Sequence, residues 1–197
     1  MNNPILASTP SGEYFGVYSD SFRKQVHQLI AWGHIDACQR IQSLDVDEPS
    51  ITGFMTEAIQ SRFRASDVPR WCTRYSVKDD PPVKAAGRSG RERPRADIII
   101  EGNFQGRPEY VFEAKRLRKC GFGVNKYIDS GGMGCFISGL YASRYDEAAM
   151  LGYVQSDLLA HWQVQVKRAI DGNGSQLQFQ HPLSVMCKSF LTFRSNG

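Results

Sequence analysis

Two periods alternate along the chain. From Ser21 to Leu44, Phe22, Val26, Leu29, Ile30, Ala37, Ile41 and Leu44 recur at spacings of three, four and seven, predicting an amphipathic helix bent at Gly33. A second helix is expected over 49–64, with Ile51, Phe54, Met55, Ala58, Ile59 and Phe63 on one face and Pro49 at its first position. The period then shortens to two. Trp71–Val77 reads as a strand, as do ADIII at 96–100 and EYVFEAKRL at 109–117, and the turn-rich EGNFQGRP between the last two makes them a hairpin. Residues 121–134 hold five glycines and read as mobile, and MGCFISGLYASR as a short helix centred on 135–143. AAMLGYV at 148–154 reads as a buried strand. A helix follows over 156–170, carried by Leu158, Leu159, Trp162, Val166, Ala169 and Ile170, and LSVMCKSFLTF at 183–193 closes as a strand. Residues 1–18 read as an irregular N-terminal arm. With no internal repeat and no linker, the expectation is a single α/β domain over 1–197.

Composition narrows the class. The 197 residues are 41% hydrophobic and 22% charged, enough apolar material for a core. No apolar run reaches the roughly 18–20 residues of a membrane span, and the first residues lack a basic start followed by an apolar stretch, so a cytoplasmic protein with no membrane partner is expected. Five scattered cysteines and four dispersed histidines signal neither a disulfide framework nor a zinc site, and the histidines are assigned packing or surface roles.

The net charge of +4 conceals an uneven distribution. Arg supplies 16 of the 24 basic residues, and its planar fork suits phosphate. Between Arg62 and Arg95 stand ten basic residues against four acidic ones. The aperiodic DDPPVKAAGRSGRERPR predicts a long flexible basic loop, read either as a solvated surface loop or as an arm that contacts phosphates through Arg88, Arg91, Arg93 and Arg95.

The hairpin carries the chemistry. With its connector centred near Phe104 and Gln105, Asp97 falls opposite Glu113. Alternation then puts Asp97, Glu113 and Lys115 on one face and Ile98, Ile100, Tyr110, Phe112 and Ala114 on the other, core-bound face. Two adjacent carboxylates repel unless a cation lies between them. Oxygen-only ligation selects a hard ion, Mg²⁺ or Mn²⁺, with Asp97 and Glu113 as metal ligands. Lys115 beside them would orient or activate a water, or stabilise charge developing on phosphorus.

RPRADIII followed by YVFEAKRL resembles the PD-(D/E)xK nuclease superfamily, with Ala96 rather than proline before the first acid. The resemblance covers roughly residues 45–170. It implies a restriction-endonuclease-like core, αβββαβ, with a mixed central sheet flanked by helices. It also implies a catalytic set of Asp97, Glu113 and Lys115, joined by an acid on the preceding helix, for which Glu48 fits by position. Glu48 falls in the apolar sector of that helix and Asp47 near it, so Asp47 stands as a substitute. Tyr127, Tyr141, Arg144, Tyr145 and Gln155 lie where related nucleases often supply residues that touch DNA or complete the pocket. Arg116 and Arg118 are expected to be solvated charges at the strand end.

These readings combine into a Mg²⁺-dependent nuclease acting on DNA, or else RNA. The resemblance adds a prokaryotic defence or DNA-processing setting, a protein partner such as an ATPase because no nucleotide-binding motif is present, and a homo-oligomer. Two rivals stand beside it: a catalytically inactive nuclease fold that binds nucleic acid or a partner protein, and a metal-free two-carboxylate hydrolase.

Overall fold

The alternation in residues 96–117 places the hairpin at the centre of the sheet. The structure, a computed structural model, describes residues 19–83, 88–137, 147–173 and 191–192. Strand β2 (Ile98–Gly102) runs antiparallel to both β1 (Tyr75–Asp79) and β3 (Glu109–Leu117). β4 (Ala148–Val154) lies parallel to β3, and the two-residue β5 (Leu191–Thr192) parallel to β4, in the order β1-β2-β3-β4-β5. Ile98 pairs with Phe112 and Ile100 with Tyr110, the register that a connector centred near Phe104 and Gln105 requires. The helices are α1 (Asp20–Arg40), α2 (Glu48–Arg64), α3 (Val124–Ile128), α4 (Gly134–Ile137) and α5 (Leu159–Gly172). The fold is mixed α/β, its sheet flanked by helices.

The core-bound face is the expected one. Ile98, Ile100, Tyr110, Phe112 and Ala114 pack with Phe22, Val26, Leu29 and Ile30 of α1 and Ile51, Met55 and Ile59 of α2. The other face is not simply charged. There Ile99 and Val111 are buried with Val83 and Ala96, while Leu117 and Val154 pack with Tyr127, Met133, Trp162 and Val166. The charged cluster lies on this face where β2 has stopped and β3 runs on.

Helix α1 runs unbroken through Gly33. The glycine provides a close crossing: a Cβ there would lie 2.7 Å from Ile59 Cγ1 and 2.9 Å from the Met55 carbonyl oxygen. Gly33→Ala gains up to about 1 kcal/mol in helix propensity. It also wedges two packed helices apart, at a cost of about 1–3 kcal/mol. A net loss of stability in urea unfolding is expected; a gain would mean that the helices part freely.

Several boundaries differ from the sequence reading. Residues Arg70–Arg74 form a 3-10 turn initiated after Pro69, so the strand expected from Trp71 begins at Tyr75 and runs to Asp79. The glycine-rich 121–134 contains α3, with Tyr127 and Met133 buried. The turn after it is tight: a Cβ at Gly134 would lie 2.7 Å from the Asp129 carbonyl oxygen. The basic loop is also less free than expected. Pro82 bridges Arg95, the Val83 amide donates to the Pro94 carbonyl at 2.8 Å, and the Ala96 amide to that of Pro81 at 3.1 Å. Burial of Val83 and Ala96 extends the β1–β2 pairing into the base of the loop. The N-terminal arm 1–18, Tyr141, Arg144, Tyr145 and all but Leu191–Thr192 of the expected closing strand lie outside the described residues.

Candidate active site

The site forms where β2 stops and β3 continues. The last β2–β3 pair at this end is Ile98 with Phe112. Beyond it, β3 has backbone N–H groups with no strand to receive them, and such groups need other acceptors when buried. Carboxylates supply them. The Ala114 amide donates to Asp97 Oδ2 at 2.6 Å, and the Arg116 amide donates to Glu48 Oε2 at 2.9 Å. The two acids are thereby fixed along the open edge of β3, one from the start of β2 and one from the start of α2.

Local sequence explains why Glu48, rather than Asp47, enters the site. Asp47 is the N-cap of α2, its carboxylate accepting from the Ser50 amide at 2.9 Å, and is exposed. A short acidic side chain at this position satisfies a free helix N–H and has no reach left for the sheet. Glu48, one residue further and longer, turns inward. Lys115 lies between the carboxylates: its Nζ donates to Glu113 Oε1 at 2.7 Å, to Glu48 Oε1 at 3.1 Å and to the Ala114 carbonyl at 2.7 Å. Asp97, Glu113, Lys115 and Glu48, the four residues expected from the sequence, therefore belong to one cluster.

Burial makes this cluster electrostatically tense. Only 7% of the Glu113 side chain is exposed, against 19% for Lys115 and 23% for Glu48. Loss of water, followed by the nearby Asp97 carboxylate, pushes the Glu113 pKa up to about 7, with Lys115 opposing. Asp97 is likewise raised, chiefly by burial and against the Ala114 hydrogen bond and Lys115. Burial lowers the Lys115 pKa, but the hydrogen bond and charge of Glu113, with the charges of Glu48 and Asp97, outweigh it and raise the pKa. Its ammonium is the charged form at neutral pH.

Among the described residues, no three His, Cys, Asp or Glu side chains stand grouped so as to hold a metal ion. The donor chemistry nevertheless fits a hard divalent ion. Glu113 Oε2 is buried with no hydrogen-bond partner among the described residues and stands near the Asp97 carboxylate, an oxygen-only donor set that suits a hard ion.

Around Glu48 stand Gln155, expected from the resemblance to touch DNA or complete the pocket, and Arg116 and Arg118, expected to be solvated. Gln155, at the end of β4 and 2% exposed, donates from Nε2 to the Val46 carbonyl at 2.6 Å. Arg116 lies over the Phe122 ring, 3.7 Å from its centroid, and Arg118 pairs with Asp45. These two arginines brace the segment before α2 rather than standing free. Tyr127, expected near substrate, is buried and donates to the Met150 carbonyl at 3.3 Å. His27 packs edge-on against Tyr110, the structural role expected of it.

The basic loop leaves β1 and enters β2 at the end where Asp97 lies. Arg88 and Arg91 are exposed, and half-buried Arg93 donates to the Gly90 carbonyl at 3.5 Å. Arg95 is engaged by Asp80, Nε to Oδ2 2.7 Å, so it braces the loop base. No helix among the described residues is long and apolar enough to cross a membrane. Compared with protein-family models, with curated proteins and with solved structures, the chain finds no match.

Proposed function

We propose that this protein is a divalent-metal-dependent nuclease of the PD-(D/E)xK type, hydrolysing phosphodiester bonds in DNA. The observation that carries the reading is the convergence of Asp97, Glu113, Lys115 and Glu48 at the point where β2 ends and β3 runs on. The order helix, three antiparallel strands, helix and parallel strand supports it.

Asp97 and Glu113, with Glu48 beside them, would hold Mg²⁺ or Mn²⁺. Bound there, the ion supplies Lewis-acid stabilisation of charge on the phosphate. Lys115, kept protonated by its three acidic neighbours, acts as a cationic donor that orients the attacking water and neutralises charge developing on the phosphoryl oxygens. A general-base role for Lys115 would need the neutral amine, the form this environment disfavours.

Arg88, Arg91 and Arg93 would contact the backbone, a contact that carries no sequence information. Replacing all three by Ala is expected to weaken DNA binding and to reduce the slope of log affinity against log salt by about 2–3, at roughly 0.9 per phosphate contact. Fluorescence anisotropy on a duplex over a salt series checks this; an unchanged slope would assign phosphate contact elsewhere.

The reading as a whole is tested by incubating supercoiled plasmid with the protein and Mg²⁺, alongside Asp97→Ala and Lys115→Ala. Metal-dependent nicking by the wild type alone is expected. DNA left intact in both Mg²⁺ and Mn²⁺ would favour the inactive binding module, and cleavage that survives a chelator would exclude the metal-dependent scheme.

A further inference from the structure

We infer that Gln155 is a positioning residue for Glu48, acting through the Val46 carbonyl, so that the end of β4 sets the geometry of the acidic site from the opposite side of β3. This inference rests on the nuclease reading for its catalytic consequence but not for its structural content. Gln155 is the first residue after β4, where its amide donates to the Leu117 carbonyl at 2.9 Å and continues the parallel pairing with β3. Its side chain is 2% exposed and spans from that strand end to the segment entering α2. The 2.6 Å bond from Nε2 to the Val46 oxygen fixes a backbone group two residues before Glu48. A second donor, Arg116 Nη1, approaches the same oxygen at 3.5 Å, and Arg118 holds Asp45.

The placement is local and specific. Glu48 receives the Arg116 amide from β3, and Val46 receives Gln155 from β4, so the entry to α2 is held against two adjacent parallel strands. A buried amide costs free energy unless its groups are paired, and Gln155 Oε1 has no partner among the described residues. A leucine of similar size would avoid that cost. A glutamine here, with only its donor engaged, is explained by the carbonyl that it holds.

The test reads the Glu48 seat directly. In Gln155→Leu and in Gln155→Met, a longer unbranched variant that guards against misfolding, amide hydrogen exchange is followed at Arg116 and Ala114 by NMR, with Glu48→Ala as reference. Positioning predicts that Arg116 exchange accelerates about tenfold or more, towards the Glu48→Ala value, while Ala114, held by Asp97, keeps its protection. Unchanged Arg116 exchange would overturn the inference, as would equal acceleration at both amides, which is the signature of a merely structural role. Mn²⁺ titration of the same variants gives the functional arm: about 10–100-fold weaker ion binding than wild type is expected, the usual effect of removing a group that orients a ligand. If the wild type binds no Mn²⁺, the nuclease reading fails while the exchange experiment still decides the role of Gln155.

Discussion

Lys115→Met is expected to reduce DNA cleavage by about 10²–10⁴-fold, the range for a positioned proton-transfer or charge-stabilising group. It should also destabilise the fold. In the wild type one ammonium serves Glu113 at 2.7 Å and Glu48 at 3.1 Å. Removing one partner of a buried pair costs about 3–5 kcal/mol, and the partial exposure of Lys115 brings the expectation down to about 2–3 kcal/mol at pH 8. The sign with pH follows from the raised pKa. Lys115 contributes stability throughout the range below its unfolded value of 10.5, so the variant is weaker at every neutral pH. At pH 5 protonation of Glu113 relieves the repulsion in the variant, and the difference should shrink. Urea unfolding at pH 5 and pH 8 measures both terms; a penalty independent of pH would mean that Lys115 does not neutralise Glu113.

Glu113→Gln is expected to have the opposite effect on stability and a similarly severe effect on activity. The unfolded glutamate ionises near 4.5 and the folded one at about 7, so the unfolded chain loses its proton first as pH rises. Stability that the protonated Glu113 contributes is therefore lost between about pH 4.5 and pH 7, at up to about 1.4 kcal/mol per pH unit. Glutamine has no such loss, and its Oε1 still accepts from Lys115. The variant should match the wild type near pH 4 and exceed it by about 1–3 kcal/mol at pH 8, while metal-dependent cleavage falls to background. A variant less stable than the wild type at pH 8 would mean that the Lys115 contact outweighs desolvation. Burial of an ionisable group at a cost in stability is common at functional sites.

Much of this was legible in the chain because period and spacing are local. The alternation of Ile98, Ile100, Tyr110, Phe112 and Ala114 and the length of the connector determine the hairpin register, and the register brings Asp97 to Glu113. Glu48 required a fold-level expectation as well, since 65 residues of chain separate it from Glu113 and only the packing of α2 on the sheet joins them. Its competitor Asp47 could be separated from it only by capping geometry.

What was not legible depends on tertiary contacts. Trp71 and Cys72 carry strand-like side chains, yet Pro69 starts a 3-10 turn and the Trp71 ring stacks on Trp32, 5.6 Å between centroids. Five glycines over 121–134 resemble a mobile loop, but Tyr127 and Met133 anchor that segment under the sheet. Gly33 reads in isolation as a point of bending, and its role as a contact point emerges only once α2 crosses it. The basic loop has no periodicity, and its base is ordered through backbone pairing that leaves no pattern in side chains. Gln155 stands out by position after the ExK element, but its bond to the Val46 carbonyl emerges only with β4 lying beside β3.

Whether Asp97 and Glu113 share a divalent cation, as proposed, is decided by anomalous diffraction from a crystal of the protein grown or soaked with Mn²⁺. A peak bound by Asp97 and Glu113 is expected, with the Lys115 ammonium drawn away from Glu113, and no peak in Asp97→Ala. Saturating Mn²⁺ with no peak there, and Lys115 still bonded to both Glu113 and Glu48, would contradict it.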